Sequence, residues 1–394
     1  MLSQSVFDSI EREFMKLSKK LKSVAVTSAA FLAISTSAAF AGTINGGGSS
    51  FADPLMQACK ADASGVTVNY TSSSSGTGRS SYTAGLFDFA GADSAYGSSD
   101  AKPAGLVYVP VLAAPLAVAF NLPGNTDEIY LSAATTAKIF AGKIKKWNDA
   151  EIAKDNNRTI KTPVYKTTYK TVKGKRVATK TQTGTTSKVI DIDLPALPIT
   201  VVYRADNSGS SGGFTKWLNS TAKTDWPNAT NNDFFKSFPG YNTSADLTSF
   251  SNFQGASGSA GVTNVTNNVT GAITYVESSY AKKAGLGIAA IGNSAGEFVA
   301  PSSAAVNAFI AAATFATDGQ YTFNYATTAT GAYPLGLITY GLASSSSSSA
   351  AVAKDVKAFF TALLTCPTKY PEIDYSTPTG LWLTTAQAQI AKIA

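Results

Sequence analysis

The sequence contains no histidine. That removes the commonest general base near neutral pH and the commonest transition-metal ligand. Ser-His-Asp and Cys-His hydrolase arrangements go with it. Cysteine is nearly absent: Cys59 and Cys366 are the only two, too few for a cysteine-built zinc site. Charged residues make up 14% of the 394-residue chain, and the net charge is +7. This suits an anionic ligand but falls short of what nucleic-acid binding demands. No G-x-x-x-x-G-K-[ST] loop is present, so nucleotide hydrolysis has no support. Bare S-x-x-K motifs begin at Ser99, Ser220 and Ser279. They lack the K-T-G and S-D-N companions of a serine acyltransferase.

What is present begins with an export signal. Lys16, Lys19, Lys20 and Lys22 precede the apolar run SVAVTSAAFLAISTSAA, which ends in Ala39-Phe40-Ala41. A basic region, an apolar region and an A-x-A site predict a signal peptide over residues 1–41, cleaved after Ala41. Met1 and Met15 are both candidate starts. The apolar run is too short and serine-rich to span a membrane. The protein is expected to be exported.

The chain then repeats one local pattern. Ile199, Val201 and Val202 read as a buried strand that reaches Arg204, breaks into Asn207-Ser208-Gly209-Ser210-Ser211-Gly212-Gly213, and resumes as a helix through Phe214, Trp217 and Leu218. TINGGGSSFADPLMQAC, from Thr43, and VTVNYTSSSSGTGRSSYTAGL, from Val66, repeat the sequence of strand, Gly/Ser loop and helix. Such a loop leaves helix N-terminal N–H groups unpaired and pointing one way. Glycines admit close approach and serines add donors. The Arg204 fork matches a tetrahedral oxyanion. The chemistry favoured is capture of a small anion, with phosphate foremost. An ordinary capped β–α turn, with Arg204 paired to Asp206, is the alternative at any one loop.

Elsewhere, Ser50 is expected to cap a helix through Leu55, Met56 and Cys59. Phe87–Asp93 reads as a short buried strand ending on a carboxylate. Leu106 to Asn121 is a long apolar stretch that Pro110 and Pro115 should divide into more than one strand, consistent with a crossing between lobes. LGLITYGL, from Leu335, reads as a second crossing. Between Lys161 and Lys188 lie eight basic residues and no acid, around a Lys173-Gly174-Lys175 turn signal. This predicts an exposed β-hairpin, either a solvated extension or a docking or anion-steering surface.

Several ordered motifs together resemble the periplasmic phosphate-binding subunit of bacterial high-affinity phosphate ABC importers. They are Gly46-Gly47-Gly48-Ser49-Ser50-Phe51 with Pro54, Val68-Asn69-Tyr70 leading to Ser75-Gly76-Thr77-Gly78, and Phe89-Ala90-Gly91-Ala92-Asp93. With them stand Gly142–Asp149, Arg204-Ala205-Asp206 with Ser208-Gly209-Ser210, and Gly271–Glu277. The opening Ile44-Asn45-Gly46-Gly47-Gly48 is also similar to the DING branch, with Thr43 where that branch has Asp.

The resemblance implies an α/β, two-lobed solute-binding fold (type II-like), its lobes joined by two crossing strands around a ligand cleft. Lobe I would comprise residues 42–111 and 336–394. Lobe II would be 112–335, with the basic hairpin inserted at about 161–190. The family's phosphate ligands fall on Ser50, Phe51, Ser75, Asp93, Arg204, Ser208, Gly209 and Ser210, with Asp206 and Thr77 in support. Ser50 and Ser210 stand where threonines are common, and Thr77 where a glycine is. The resemblance implies no catalytic residue, metal or cofactor. Its expected partners are inorganic phosphate and an inner-membrane ABC permease, not nucleic acid, and the protein is expected to act as a monomer. Cys59 and Cys366 would both lie on lobe I. Export favours their pairing, which needs Cα atoms within about 7 Å.

Overall fold

A computed structural model of the chain describes residues 42–124, 128–241 and 250–394. The expected signal peptide lies outside the described residues. Residues 42–394 pack as one compact unit, and no helix among the described residues is long and apolar enough to cross a membrane.

The strands carry the expected β-branched and apolar runs. They are β1 (Gly42–Ser49), β2 (Val66–Ser73), β3 (Phe89–Ala92), β4 (Leu106–Phe120), β5 (Tyr130–Leu131), β6 (Asn157–Val172), β7 (Lys175–Asp191), β8 (Thr200–Arg204), β9 (Phe253–Ala256) and β10 (Ala272–Glu277). A later strand, Gly336–Ser344, completes the frame. The main sheet runs in the order β2, β1, β3, Gly336–Ser344, β4, β10, β8, β9. At one end β1 is parallel to β2 and β3; at the other β8 is parallel to β9 and β10. Antiparallel pairs join the two ends through β4.

β4 corrects the sequence reading: it is one strand of 15 residues, and both prolines sit inside it. The ladder explains how. Gly336–Ser344 pairs with Leu106–Pro115, and its register shifts between Thr339 and Tyr340, so Val111 is passed over beside Pro110. Pro115 sits where the pairing hands over to β10, which takes Leu116–Phe120. A proline has no N–H to give a ladder, so it survives in a strand at an irregularity or a change of partner. Nearly every residue of β4 is buried, as expected of a strand covered on both faces.

Cys59, ending the Asp53–Cys59 helix, is bonded to Cys366, which follows the Ala350–Leu363 helix; their Cα atoms are 5.8 Å apart. The expected hairpin is present and slightly longer than predicted. β6 and β7 pair antiparallel from Asn157↔Asp191 to Val172↔Lys175. Lys173 and Gly174, with φ of 49° and 75°, form the two-residue turn whose twist suits a hairpin.

Candidate functional site

Asp93, just past β3, is almost fully buried, and three hydroxyls converge on it. Ser49 and Thr339 each donate to its Oδ1 at 2.6 Å. Ser75 donates to Oδ2 at 3.1 Å and accepts the Asp93 backbone N–H at 3.0 Å. Burial pushes the Asp93 carboxyl above its ordinary range, opposed by these hydroxyls and then by the positive charge of Arg204. An ionised carboxylate offers about four acceptor positions, so the three hydroxyls leave one open.

From the other end of the sheet, β8 delivers Arg204, only 3% exposed. Its guanidinium makes a two-pronged contact with Asp206, Nε to Oδ1 at 2.6 Å and the second nitrogen to Oδ2. Asp206 also accepts the Gly258 N–H at 3.3 Å. The backbone N–H of Arg204 donates to the Tyr275 hydroxyl at 3.2 Å, and that hydroxyl meets Ser211 Oγ at 2.7 Å. Ser208 caps the Gly209–Thr221 helix by accepting the Ser211 N–H. Ser210 Oγ is buried and has no hydrogen-bond partner.

The two ends of the sheet meet here. Gly76 N–H donates to the Asn207 carbonyl at 2.9 Å. Ser50 Oγ lies 3.1 Å from Ser259 Oγ and accepts the Ser259 N–H at 3.0 Å. Asn232 donates to Ser94 Oγ at 2.8 Å. Gly209 touches Asp93 and Ser75: a Cβ placed on it would come within 2.6 Å of both. A cavity of about 440 Å³ reaches Asp93, lined also by Arg79, Asn207, Lys216 and Tyr340.

Ser75, Asp93 and Gly209 are therefore brought into contact. Arg204, Asp206, Ser208 and Ser210 cluster on the facing elements. Ser50 and Phe51 sit at the start of the Asp53–Cys59 helix, their carbonyls accepting from the hydroxyls of Tyr280 and Tyr375. Two expectations are corrected. The hydroxyl that accepts the Ala52 N–H before that helix is Ser49, not Ser50, whose Oγ turns to Ser259 instead. Thr77 is exposed and its hydroxyl lies 3.0 Å from Ser74 Oγ, so it takes part in capping the Ser75–Thr83 helix rather than supporting the cluster.

Four contributors escaped the sequence reading. Ser49 sits inside a recognised motif, one residue from the serine that was chosen. Gly258 and Ser259 follow β9 and open the Gly258–Asn268 helix, a fourth strand, Gly/Ser loop and helix that the repeated pattern could have found. Thr339 lies mid-strand in an apolar run and gave no signal. The arrangement as a whole gathers the Arg204 guanidinium, hydroxyl donors and helix N-termini near the buried Asp93 carboxylate. That combination can hold a tetrahedral oxyanion that still carries a proton.

Such a cleft between the two ends of a shared sheet defines a two-lobed solute-binding protein, and a family model described as the PBP superfamily domain matches residues 33–362. The phosphate-binding protein PstS 3 of Mycobacterium leprae is 30% identical over 308 residues, covering 75% of this chain and 70% of its own. The phosphate-binding protein PstS of Pasteurella multocida is 30% identical over 275 residues, covering 69% of this chain and 66% of its own. The chain belongs to the PstS family. Among solved structures, a high-affinity periplasmic phosphate-binding protein (PfluDING) bound with phosphate shares the fold. Its TM-score is 0.63 at 22% identity, over 88% of this chain and 93% of that one.

Proposed function

We propose that the protein captures inorganic phosphate between its lobes and delivers it to an inner-membrane ABC permease. The observation that carries this is the donor count at Asp93. With three hydroxyls already on a buried carboxylate, the position left open is an acceptor facing an anion site. Inorganic phosphate near neutral pH keeps a proton that can fill it. Sulfate keeps none, and its lone pairs would face those of Asp93 in a dry cleft at high cost.

In this reading Arg204, held by Asp206, supplies the charge. Ser50, Ser75, Ser208 and Ser210 supply hydroxyls or loop N–H groups, and Phe51 and Gly209 supply backbone N–H groups. The unpartnered Ser210 hydroxyl supports the assignment, since a buried polar group without a partner is costly unless a ligand completes it. Residues 42–111 with 336–394 form one lobe and 112–335 the other, and β4 and Gly336–Ser344 are the crossings. The protein acts in the periplasm as a monomer after cleavage behind Ala41, and it binds without catalysis. The family relationship and the names of the relatives support this reading.

Calorimetric titration with phosphate, sulfate and arsenate tests it. Tight binding of phosphate with sulfate weaker by at least a hundredfold is expected. Equal affinities, or no heat with phosphate, would overturn it.

A further inference from the structure

The β6–β7 hairpin has a rooted end and a free end. At the root, Ile160, Ile190 and Ile192 pack with Tyr130, Ala290 and Phe298. The Arg158 guanidinium stacks over Tyr130 and Phe298 at 4.4 and 3.8 Å. Beyond the root, from Val164 to Val189, every residue is exposed. At roughly 3.3 Å per residue, strands of 16 and 17 residues reach about 50 Å.

The register sorts the free end into two faces. Tyr165 opposite Gln182, Thr167 opposite Lys180, Tyr169 opposite Ala178 and Thr171 opposite Arg176 share one face, where Arg176 stacks on Tyr169 at 4.0 Å. Lys166, Lys170, Val172, Lys175 and Val177 share the other. A two-stranded ribbon with no buried face is marginally stable in water. Yet it presents Tyr165, Tyr169 and Val172 more than half exposed. Such a ribbon is completed by a surface that covers it.

Charge decides which surface. Between Arg158 and Ile190 there is no acidic residue. A second copy would set like charges against like, so self-pairing through the ribbon is disfavoured. The cations lie on both faces and along the whole length, with no alternating sign to fix a register on a protein partner. A sheet of anionic headgroups needs no such register, and it attracts every lysine and arginine near it. Tyrosine interleaved with cations is the pattern that settles in a headgroup layer.

We propose that the free end of the hairpin, Val164–Thr183, docks the protein on an anionic phospholipid surface. The proposal stands on the ribbon alone and is independent of what the cleft binds.

The test uses the Gly42–Ala394 unit, which packs as one compact body and omits the apolar run before Ala39. It is sedimented with vesicles of phosphatidylcholine, with or without about one-third phosphatidylglycerol. Partition onto the anionic vesicles is expected to exceed that onto neutral ones at least tenfold and to fall as salt is raised. Replacing Lys166, Lys170, Lys175 and Lys180 with glutamine should abolish the preference, and Y165S with Y169S should weaken it while leaving its salt dependence. Unchanged circular dichroism is the folding control; if a variant unfolds, Thr162–Ser187 replaced by a short Gly/Ser linker takes its place. Equal partition onto both vesicles, no partition, or a hairpin variant as effective as the parent would overturn the proposal. So would retention by a single-stranded oligonucleotide in the absence of vesicle binding.

Discussion

Gly209 lies so close to Asp93 that a Cβ on the glycine would stand 2.6 Å from the aspartate's own Cβ. The same added carbon would be 2.6 Å from Ser75 Oγ. Asp93 follows β3 and Gly209 opens the helix after β8, so this approach measures how tightly the two ends of the sheet close. Gly209→Ala should hold them apart while leaving each intact. Phosphate affinity is expected to drop at least tenfold with little change in the melting temperature of the unliganded protein. An affinity within a factor of two of the parent would mean that binding does not require this contact.

Asp93→Asn replaces the acceptor with a group that can also donate. The amide can serve sulfate as well as phosphate, so the preference for phosphate should shrink. Phosphate affinity itself should fall by about 1.5–3 kcal/mol, the usual worth of a hydrogen bond to a charged group. Parallel titrations with the two anions check this, and an unchanged ratio would remove Asp93 from the selectivity mechanism.

Arg204→Ala removes a buried guanidinium whose charge acts on Asp93 and leaves Asp206 without its charged partner. Loss of one member of a buried charge contact costs about 2–5 kcal/mol of binding. A loss below about 0.5 kcal/mol would place Arg204 outside the anion's reach.

Glu277 ends β10 fully buried, accepting from the backbone N–H and hydroxyl of Ser279. Burial pushes its carboxyl from 4.5 up to about 7, against the pull of the Ser279 contacts and Lys282. The folded protein therefore holds a proton that the unfolded chain has released between about pH 4.5 and 7. Stability should fall as pH rises through that window and level off above it. The shift corresponds to a contribution on the order of 3 kcal/mol. The unfolding free energy from denaturant melts should fall more steeply with pH across this range for the parent than for Glu277→Gln; identical slopes against pH would assign the dependence to other groups.

The Cys59–Cys366 bond should also be measurable. Replacing both with serine is expected to cost about 2–5 kcal/mol of unfolding free energy. Finding two titratable thiols in non-reduced, denatured protein would contradict the bond.

The sequence disclosed those parts of the site whose partners are close in the chain or whose chemistry is unusual. Arg204 with Asp206, and the Gly/Ser loops before helices, show themselves because a short stretch holds both the strand and the loop. The carboxylate ending FDFAGAD was legible for the same reason. Thr339 was not, because its role comes from the antiparallel pairing of Gly336–Ser344 with β3, which places it within reach of Asp93. Ser49 takes the contact expected of Ser50 because the direction of a strand's last residue depends on its neighbours. The continuity of β4 was hidden too: Pro110 and Pro115 are strand breakers in isolation, and only the bulge and the change of partner make room for them. The hairpin, by contrast, was read almost to its ends, since nothing in the rest of the chain competes for it.

The bond between Cys59 and Cys366 joins residues 307 positions apart. It therefore closes most of the folded chain into a covalent ring. A ring tolerates a single backbone break. If trypsin cuts at the exposed Lys173–Gly174 turn, the pieces on either side remain one molecule, each carrying one half of the bridge. Such a nicked protein should migrate as a single species without reductant and as two with it. Because the cut lies beyond the rooted end of the hairpin, the main sheet should keep its order in the opened ring, which would then be two chains held by one bridge, with an added pair of ends at the ribbon's tip.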